Sequence, residues 1–302
     1  FAAARKGIAV FLKDMDLAAA ERGKDYARQA CAKSKRMTDA EREALLALIR
    51  PSADYADLAT CDAVIEAVFE RRDVKAAVVR ELEAVLGHHA LIASNTSALP
   101  ITELAEASVR PANFIGMHFF SPADKMPLVE IICGEQTGDE ALAAAFDLAQ
   151  QLGKTPIVVN DGPGFFTTRV IGKTVSQGAQ MVMEGIDPVL IEAAARANGS
   201  PVGPLAAIDE ISQETAYRNG LQMKLDAEAR GETWQEQPAG ELVRRMVEEF
   251  GRKGRRSGGG YYEYPEGGKK RIWPGLKQHF APNGFKQVPF EDIKDRLVFS
   301  QC

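Results

Sequence analysis

Several absences narrow the class of this 302-residue chain. Its four cysteines, Cys31, Cys61, Cys133 and Cys302, are scattered without a Cys-x-x-Cys pair or Cys/His spacing. That pattern argues against both a disulfide framework and a zinc site, and is expected of a reduced, intracellular protein. No run approaches the ~20 apolar residues that a membrane span requires, and no basic stretch leads into a short apolar run to make a signal peptide. Positive charge is not in excess: 37 Lys and Arg against 42 Asp and Glu leave a net charge of −5. With no basic stripe interleaved with aromatics, nucleic acid is not an expected partner. The local cluster Lys33, Lys35 and Arg36 reads as a solvated helix face or as a contact for an anionic substrate tail. No internal repeat is visible. What is present, 45% hydrophobic and 26% charged residues, is the composition of a globular protein long enough for two domains.

Along the chain, FAAARKG reads as closing turns of a helix ended by Gly7, and IAVFLKD follows as an apolar strand reaching Asp14. An acid closing the second strand of a dinucleotide-binding unit lies about 20 residues after its glycine fingerprint. Counting back from Asp14, such a fingerprint falls before Phe1, so the first strand and glycine loop are expected to be missing. The plainer role for Asp14 is to cap the helix starting at Leu17. Leu17 to Ile49 reads as helical, with Thr38 and Glu41 forming a capping box. Apolar runs and amphipathic helices then alternate: CDAVIEAVF, VKAAVVRELEAVL, ALIASNTS, ITELAEA and FIGMHFF, followed by LVEIICGE and TPIVVNDG around DEALAAAFDLAQQLG. This alternation predicts an α/β fold, a Rossmann-type doubly wound parallel sheet covered on both faces. After Asp161-Gly162-Pro163-Gly164 everything to Gly251 reads as helix, including PLAAIDEISQETAYRNGLQMKLDAEAR as one segment, and so predicts an all-helical domain. The tail GRKGRRSGGGYYEYPEGGKKRIWPGL reads as a return loop with a short extended run, since it lacks a GK[ST] element and a strand-to-helix setting. A last helix opens at Phe290 or Glu291.

The stretch NFIGMHFFSPADKMPLVE, residues 113–130, carries the chemistry. His118 and Glu130 each close an apolar segment, which places both at strand ends facing one cleft. A histidine works as a base near neutral pH, and a carboxylate on its second ring nitrogen fixes the tautomer and stabilises the imidazolium. The competing reading of these two residues is a core histidine on a backbone carbonyl, beside a surface glutamate.

Together IEAVFE (65–70), SNTSALPI (94–101), GMHFFSPADKMPLVEII (116–132) and GPGFFTTR (162–169) resemble the 3-hydroxyacyl-CoA dehydrogenases, and most of all the dehydrogenase section of the multifunctional α-subunit of fatty-acid β-oxidation complexes. The resemblance implies NAD-dependent oxidation of a 3-hydroxyacyl-CoA to the 3-ketoacyl-CoA, within a protein that also has enoyl-CoA hydratase activity. It implies His118 as the base, Glu130 as its acid partner and Ser97 as the residue that bonds the substrate hydroxyl. Asp14 is then the ribose-binding acid, and Ala67, Glu70, Lys75 and Asn95 line the NAD site. Thr168 stands before Arg169 where much of the family has Asn; its hydroxyl keeps one hydrogen bond but less reach than an amide. The implied domains are residues 1–161 for NAD binding, N-terminally incomplete, 162–265 for the helical dehydrogenase domain, and 266–302 for a linker and the start of a second helical domain. No metal is implied. The implied partners are the acyl-CoA substrate, a thiolase β-subunit, and a second copy or second helical domain covering apolar residues around Leu221, Met223 and Leu225. The implied location is the bacterial cytoplasm, with mitochondrial matrix or peroxisome as alternatives. Two other readings stay open. One is a non-catalytic relative of the same fold; the other is a different hydroxyacid dehydrogenase of Rossmann-plus-helical build whose base is a lysine.

Overall fold

The structure is a computed structural model that describes residues 1–301, apart from the side chains of Gln222, Met223 and Asp226. Contacts divide it into two units, Phe1–Thr168 and Arg169–Cys302.

In the first unit, a short 3₁₀ turn at Ala4–Lys6 ends on Gly7, whose φ of 78° is the left-handed conformation that glycine adopts without strain. β1 (Val10–Lys13) and α1 (Leu17–Lys33) follow, and the residue that caps α1 is Asp16, through Ala19 N–H at 2.7 Å, rather than Asp14. Thr38 and Glu41 form the expected capping box on α2 (Asp39–Ala47). The region to Ile49 is not helical to its end: β2 (Ile49–Ser52) pairs parallel to β1, with Pro51 inside it. Proline argues against a strand from sequence because it cannot donate to a ladder, but an edge strand tolerates it.

β3 (Ala63–Glu66), α3 (Arg72–Val85), β4 (Leu91–Ser94), α4 (Ile101–Ala105), β5 (Phe114–Phe119), β6 (Leu128–Cys133), α5 (Asp139–Gln151) and β7 (Thr155–Asn160) complete the unit. The five strands lie in the order β3-β4-β5-β6-β7, and β1-β2 form a separate two-stranded sheet. All pairs are parallel except β5 and β6, which run antiparallel, so the sheet is parallel-dominated rather than wholly parallel. The reason is the connection: only eight residues, 120–127, join Phe119 to Leu128, too few for a crossover helix but enough for a hairpin.

Strand alternation sorts the two faces. Ile115, Met117, Val129 and Ile131 pack with Ala141, Ala145 and Ala149 of α5. Phe114 and Ile132 turn the other way, onto Ile101 and Leu104 of α4, Leu82 of α3 and Phe165. His118 and Glu130 share the parity of this second face. Gly116 lets α4 come close, because a Cβ there would lie 2.8 Å from Ile101 and 2.9 Å from Ile132.

The second unit is helical: α6 (Thr167–Met183), α7 (Pro188–Ala197), α8 (Pro204–Ile211), α9 (Gln213–Ala229) and α10 (Pro238–Glu248). The segment read as one helix from Pro204 breaks at Ser212, which has a φ of 112°. The two-residue strands β8 (Tyr262–Glu263) and β9 (Arg271–Ile272) pair antiparallel, and α11 (Gly275–Phe280) and α12 (Phe290–Phe299) follow. Within the stretch 266–302, expected as a linker and the opening of another domain, Leu276, Ile293 and Leu297 join Met181, Ile191, Leu205, Leu242 and Tyr261 in this unit's core. Of the apolar residues expected to need cover, Leu221 and Leu225 are exposed, while the Met223 side chain lies outside the described residues. Two buried acids staple the core. Glu192 accepts from the Leu205 amide and the Tyr262 hydroxyl, and Asp209 from the Tyr261 and Tyr262 amides. Among the described residues Cys31, Cys61 and Cys133 are free, no cluster of His, Cys, Asp and Glu has the make-up of a metal site, and no helix is long and apolar enough to cross a membrane.

Candidate active site

The antiparallel hairpin sets His118 directly opposite Glu130, and cross-strand partners share a face. His118 Nδ1 lies 2.7 Å from Glu130 Oε2, with His118 6% and Glu130 0% exposed. His118 stands at the end of β5, whereas Glu130 is in the middle of β6 and not at a strand end. An ionised carboxylate only accepts, so the Nδ1 proton belongs to the histidine, and in the neutral ring Nε2 keeps a free lone pair. The rings of Phe120 and Phe165 stand 4.5 and 6.1 Å from the imidazole.

Glu130 has three further donors: the Phe166 and Thr167 amides on Oε1, at 3.1 and 2.8 Å, and the Thr167 hydroxyl on Oε2, at 2.8 Å. Burial pushes the carboxyl up, but hydrogen bonds from His118 and from the Thr167 amide and hydroxyl outweigh it and hold it below the ordinary carboxylate range. The turn that delivers these donors is GPGF, where Gly162, Gly164 and Phe165 have φ of 148°, 75° and 47°. A buried aromatic at positive φ is a strained conformation worth ~1–3 kcal/mol, and such residues concentrate at functional sites.

Ser97 is exposed, on the loop after β4, and its position is fixed through its backbone. Glu70 accepts from the Ser97 and Ala98 amides, at 2.8 and 3.2 Å, and from the Thr96 hydroxyl at 2.6 Å. Gly164 N–H donates to Ala98 O, tying this loop to the GPGF turn. Asn95 Oδ1 accepts from Phe119 N at 2.8 Å, linking the end of β4 to the residue after His118. Lys75, 1% exposed, sets its ammonium 3.0 Å from Glu66 and 3.4 Å from Glu70, and the Ser94 hydroxyl also donates to Glu66. Burial pushes the Glu70 carboxyl up, but the Thr96 hydroxyl, the Ser97 amide and the Lys75 ammonium bring it below its ordinary range. Glu66 carries no signal in the sequence, where it is one more strand residue, and its pairing with Lys75 reveals it. Ala67 is exposed at the end of β3, and Asp14 is exposed past β1, its Oδ1 accepting, among the described residues, only from its neighbour Met15 N–H, at 2.7 Å. Thr168 is exposed on the first turn of α6; the threonine that reaches the pair is Thr167, which sequence spacing did not single out.

A parallel-dominated α/β sheet carrying an acid–base pair, followed by a helical unit, is the architecture of a two-domain dehydrogenase. Residues 1–162 match the family model of the 3-hydroxyacyl-CoA dehydrogenase NAD binding domain, and residues 164–264 that of the 3-hydroxyacyl-CoA dehydrogenase C-terminal domain. The chain belongs to the 3-hydroxyacyl-CoA dehydrogenase family. It is 40% identical over 238 residues to the fatty acid oxidation complex subunit alpha of Shewanella amazonensis, covering 79% of this chain and 33% of that one. With the same subunit of Shewanella halifaxensis it is 39% identical over 270 residues, 89% of this chain and 37% of the other. The chain thus spans about a third of the length of these curated relatives. Among solved structures it is similar to (S)-3-hydroxybutyryl-CoA dehydrogenase from Ralstonia eutropha, with a TM-score of 0.77, 33% identity and coverage of 87% and 93%. It is also similar to 3-hydroxybutyryl-CoA dehydrogenase from Escherichia coli, with a TM-score of 0.79, 30% identity and coverage of 90% and 57%.

Proposed function

We propose that this chain carries the dehydrogenase activity that interconverts 3-hydroxyacyl-CoA and 3-ketoacyl-CoA with NAD, as part of a longer fatty-acid β-oxidation protein. The observation that carries the reading is the 2.7 Å contact between His118 Nδ1 and Glu130. With Nδ1 committed to the carboxylate, Nε2 takes the proton of the substrate hydroxyl, and Glu130 stabilises the imidazolium that forms. Ser97, held by its amide on Glu70, offers its hydroxyl to the substrate oxygen, and Thr168 is placed as a second contact. NAD, when bound, would accept the hydride that leaves the carbon bearing that hydroxyl, while the hydroxyl's proton goes to His118. The residues proposed to hold it are Asp14, Ala67, Glu70 and Asn95, with Lys75 acting behind Glu70. They fit the group: Asp14 offers an exposed carboxylate with acceptor capacity to spare for ribose hydroxyls, and Ala67 leaves room at the end of β3. Both paired glutamate and histidine favour this reading over a non-catalytic relative and over an enzyme with a lysine base.

The working domain division is 1–161 for cofactor binding and 162–265 for the helical dehydrogenase part, with 266–302 packed on the latter. By likeness to the α-subunits, the proposed setting is a bacterial cytoplasmic complex with a thiolase subunit. The direct test is reduction of acetoacetyl-CoA by the protein expressed from its whole reading frame, with NADH and with NADPH. NADH is expected to give a kcat/KM at least ~10-fold higher, because a 2′-phosphate brings negative charge against Asp14. No turnover with either cofactor would refute the activity, and equal values would refute the role of Asp14.

A further inference from the structure

We infer that Thr167 is a positioning residue of the acid–base pair: its hydroxyl, donated to the carboxylate oxygen that His118 uses, holds the plane of Glu130 and limits the charge that oxygen offers the imidazole. A carboxylate has about four lone-pair sites, and all four are taken here, two on each oxygen. The two amides on Oε1 fix that oxygen but leave Oε2 free to swing about it. The Thr167 hydroxyl removes this freedom and keeps Oε2 on Nδ1. Thr167 grips the carboxylate twice, by amide and hydroxyl, and a β-branched side chain has few χ1 states to lose in doing so. A hydroxyl bonded to a carboxylate also draws off part of its charge, since such bonds are strong and charge-assisted.

A purely structural role has a counterpart nearby. Asp161 accepts from the Ile101, Thr102 and Gly162 amides and the Thr102 hydroxyl, a comparable set of amides with one threonine hydroxyl, and there it fastens the start of α4 to the turn after β7. The difference at Glu130 is that one of the two oxygens also serves a histidine. Other charges around the pair are few. On the shared face, β7 places Ile157 opposite Glu130, α4 carries Glu103, which is paired with Arg72 at 2.8 Å, and α3 carries Lys75, which is paired with Glu66 and Glu70. On the opposite face α5 carries Asp139, Glu140 and Asp147, all exposed, and Arg169 follows two residues after Thr167 in α6. Among the described residues no charged group but His118 bonds to Glu130, so a change in pH behaviour on altering Thr167 traces to the hydroxyl.

The kinetic part of the test rests on the dehydrogenase reading; the spectroscopic part does not. In the protein expressed from its whole reading frame, Thr167→Val and Thr167→Ser are compared by the pH profile of kcat/KM for 3-hydroxybutyryl-CoA oxidation. In parallel, NMR without substrate records the pH at which the His118 ring signals change. Thr167→Val leaves more charge on Oε2, which favours the imidazolium. The acidic limb and the NMR midpoint are therefore expected to move up by about half a pH unit, the scale of a fraction of one charge-assisted hydrogen bond. kcat is expected to fall several-fold, and Thr167→Ser to restore all three. Thr167→Ala, which also lacks the hydroxyl, replaces the valine variant if that one fails to fold. An unmoved NMR midpoint in the hydroxyl-free variant overturns the inference, as does a serine variant that behaves like it. Absence of turnover in every form would sink the dehydrogenase reading alone, and the NMR midpoint would still decide the role of Thr167.

Discussion

Glu130 in the first unit and Asp209 in the second are 0% and 1% exposed, and each accepts four hydrogen bonds. For Asp209 the donors are Gln213 Nε2, the Tyr261 and Tyr262 amides and the Tyr264 hydroxyl, at 3.0, 2.9, 2.8 and 3.1 Å. Burial raises the Asp209 carboxyl above its ordinary value, and these donors do not offset it. Glu130 is as little exposed but less deeply buried, and it is held below its ordinary range, with the His118 bond the largest cause opposing desolvation. The number of donors therefore does not separate a working carboxylate from a structural one. One difference between them is a partner able to take up positive charge, which favours the ionised form alongside the neutral donors. Asp209 fastens β8 to α8; Glu130 fastens a turn and at the same time directs a base.

The comparison breaks if the two sites respond alike to mutation. His118→Gln is expected to lower kcat with acetoacetyl-CoA and NADH by at least ~10²-fold, the scale of general base removal. Its Tm is expected to stay within about 2 °C of the parent, since the amide fills much of the ring's space. Turnover within a few-fold of the parent would take His118 out of the mechanism. Asp209→Asn is expected to do the reverse. Its amide nitrogen would face N–H donors, leaving buried groups unsatisfied, at a cost of about 3 kcal/mol in a urea titration. Activity per folded molecule should remain within about twofold.

Gly116→Ala tests whether the face that holds the pair tolerates no added carbon. A Cβ lying under 3 Å from both Ile101 and Ile132 implies overpacking of about 1–3 kcal/mol. An unchanged denaturation midpoint would mean that α4 can slide away freely.

The smallest effect concerns pH. The Glu130 carboxyl is depressed in the folded state, so its stabilising contribution is present above the ordinary carboxylate range and is lost as pH falls through the folded value. Asp209 is raised, so its contribution has the opposite sign: it favours the fold at low pH and is lost as pH rises from the ordinary range through the folded value. Comparing unfolding free energies at pH 7 and pH 4, Glu130→Gln is expected to remove on the order of 1 kcal/mol of the acid-induced loss seen in the parent. Asp209→Asn should steepen that loss. A parent whose pH dependence is unchanged by both substitutions would show that neither carboxylate titrates as its surroundings imply.

The local elements were legible in the sequence because their signals are local. Thr38 and Glu41 announce a capping box three residues apart, Gly7 a left-handed stop, and the apolar runs at 63–66, 91–94 and 114–119 strands. The His118 and Glu130 pair was also legible, as motif and spacing. Where local signals conflict, only tertiary pairing decides: Pro51 speaks against a strand, and β2 forms because it sits at an edge. The direction of β6 depended on an eight-residue connection that the strands' own apolar character does not encode. That antiparallel turn set His118 across from Glu130, and left the next partners to come from far along the chain. Thr167 reaches Glu130 across a separation of 37 residues, and Lys75 meets Glu66 within a buried network, contacts that carry no periodicity to read. By itself the sequence determined the elements and the chemistry available; the folded chain decided which hydroxyl and which ammonium stand beside which carboxylate, because burial and long-range pairing exist only once the strands have met.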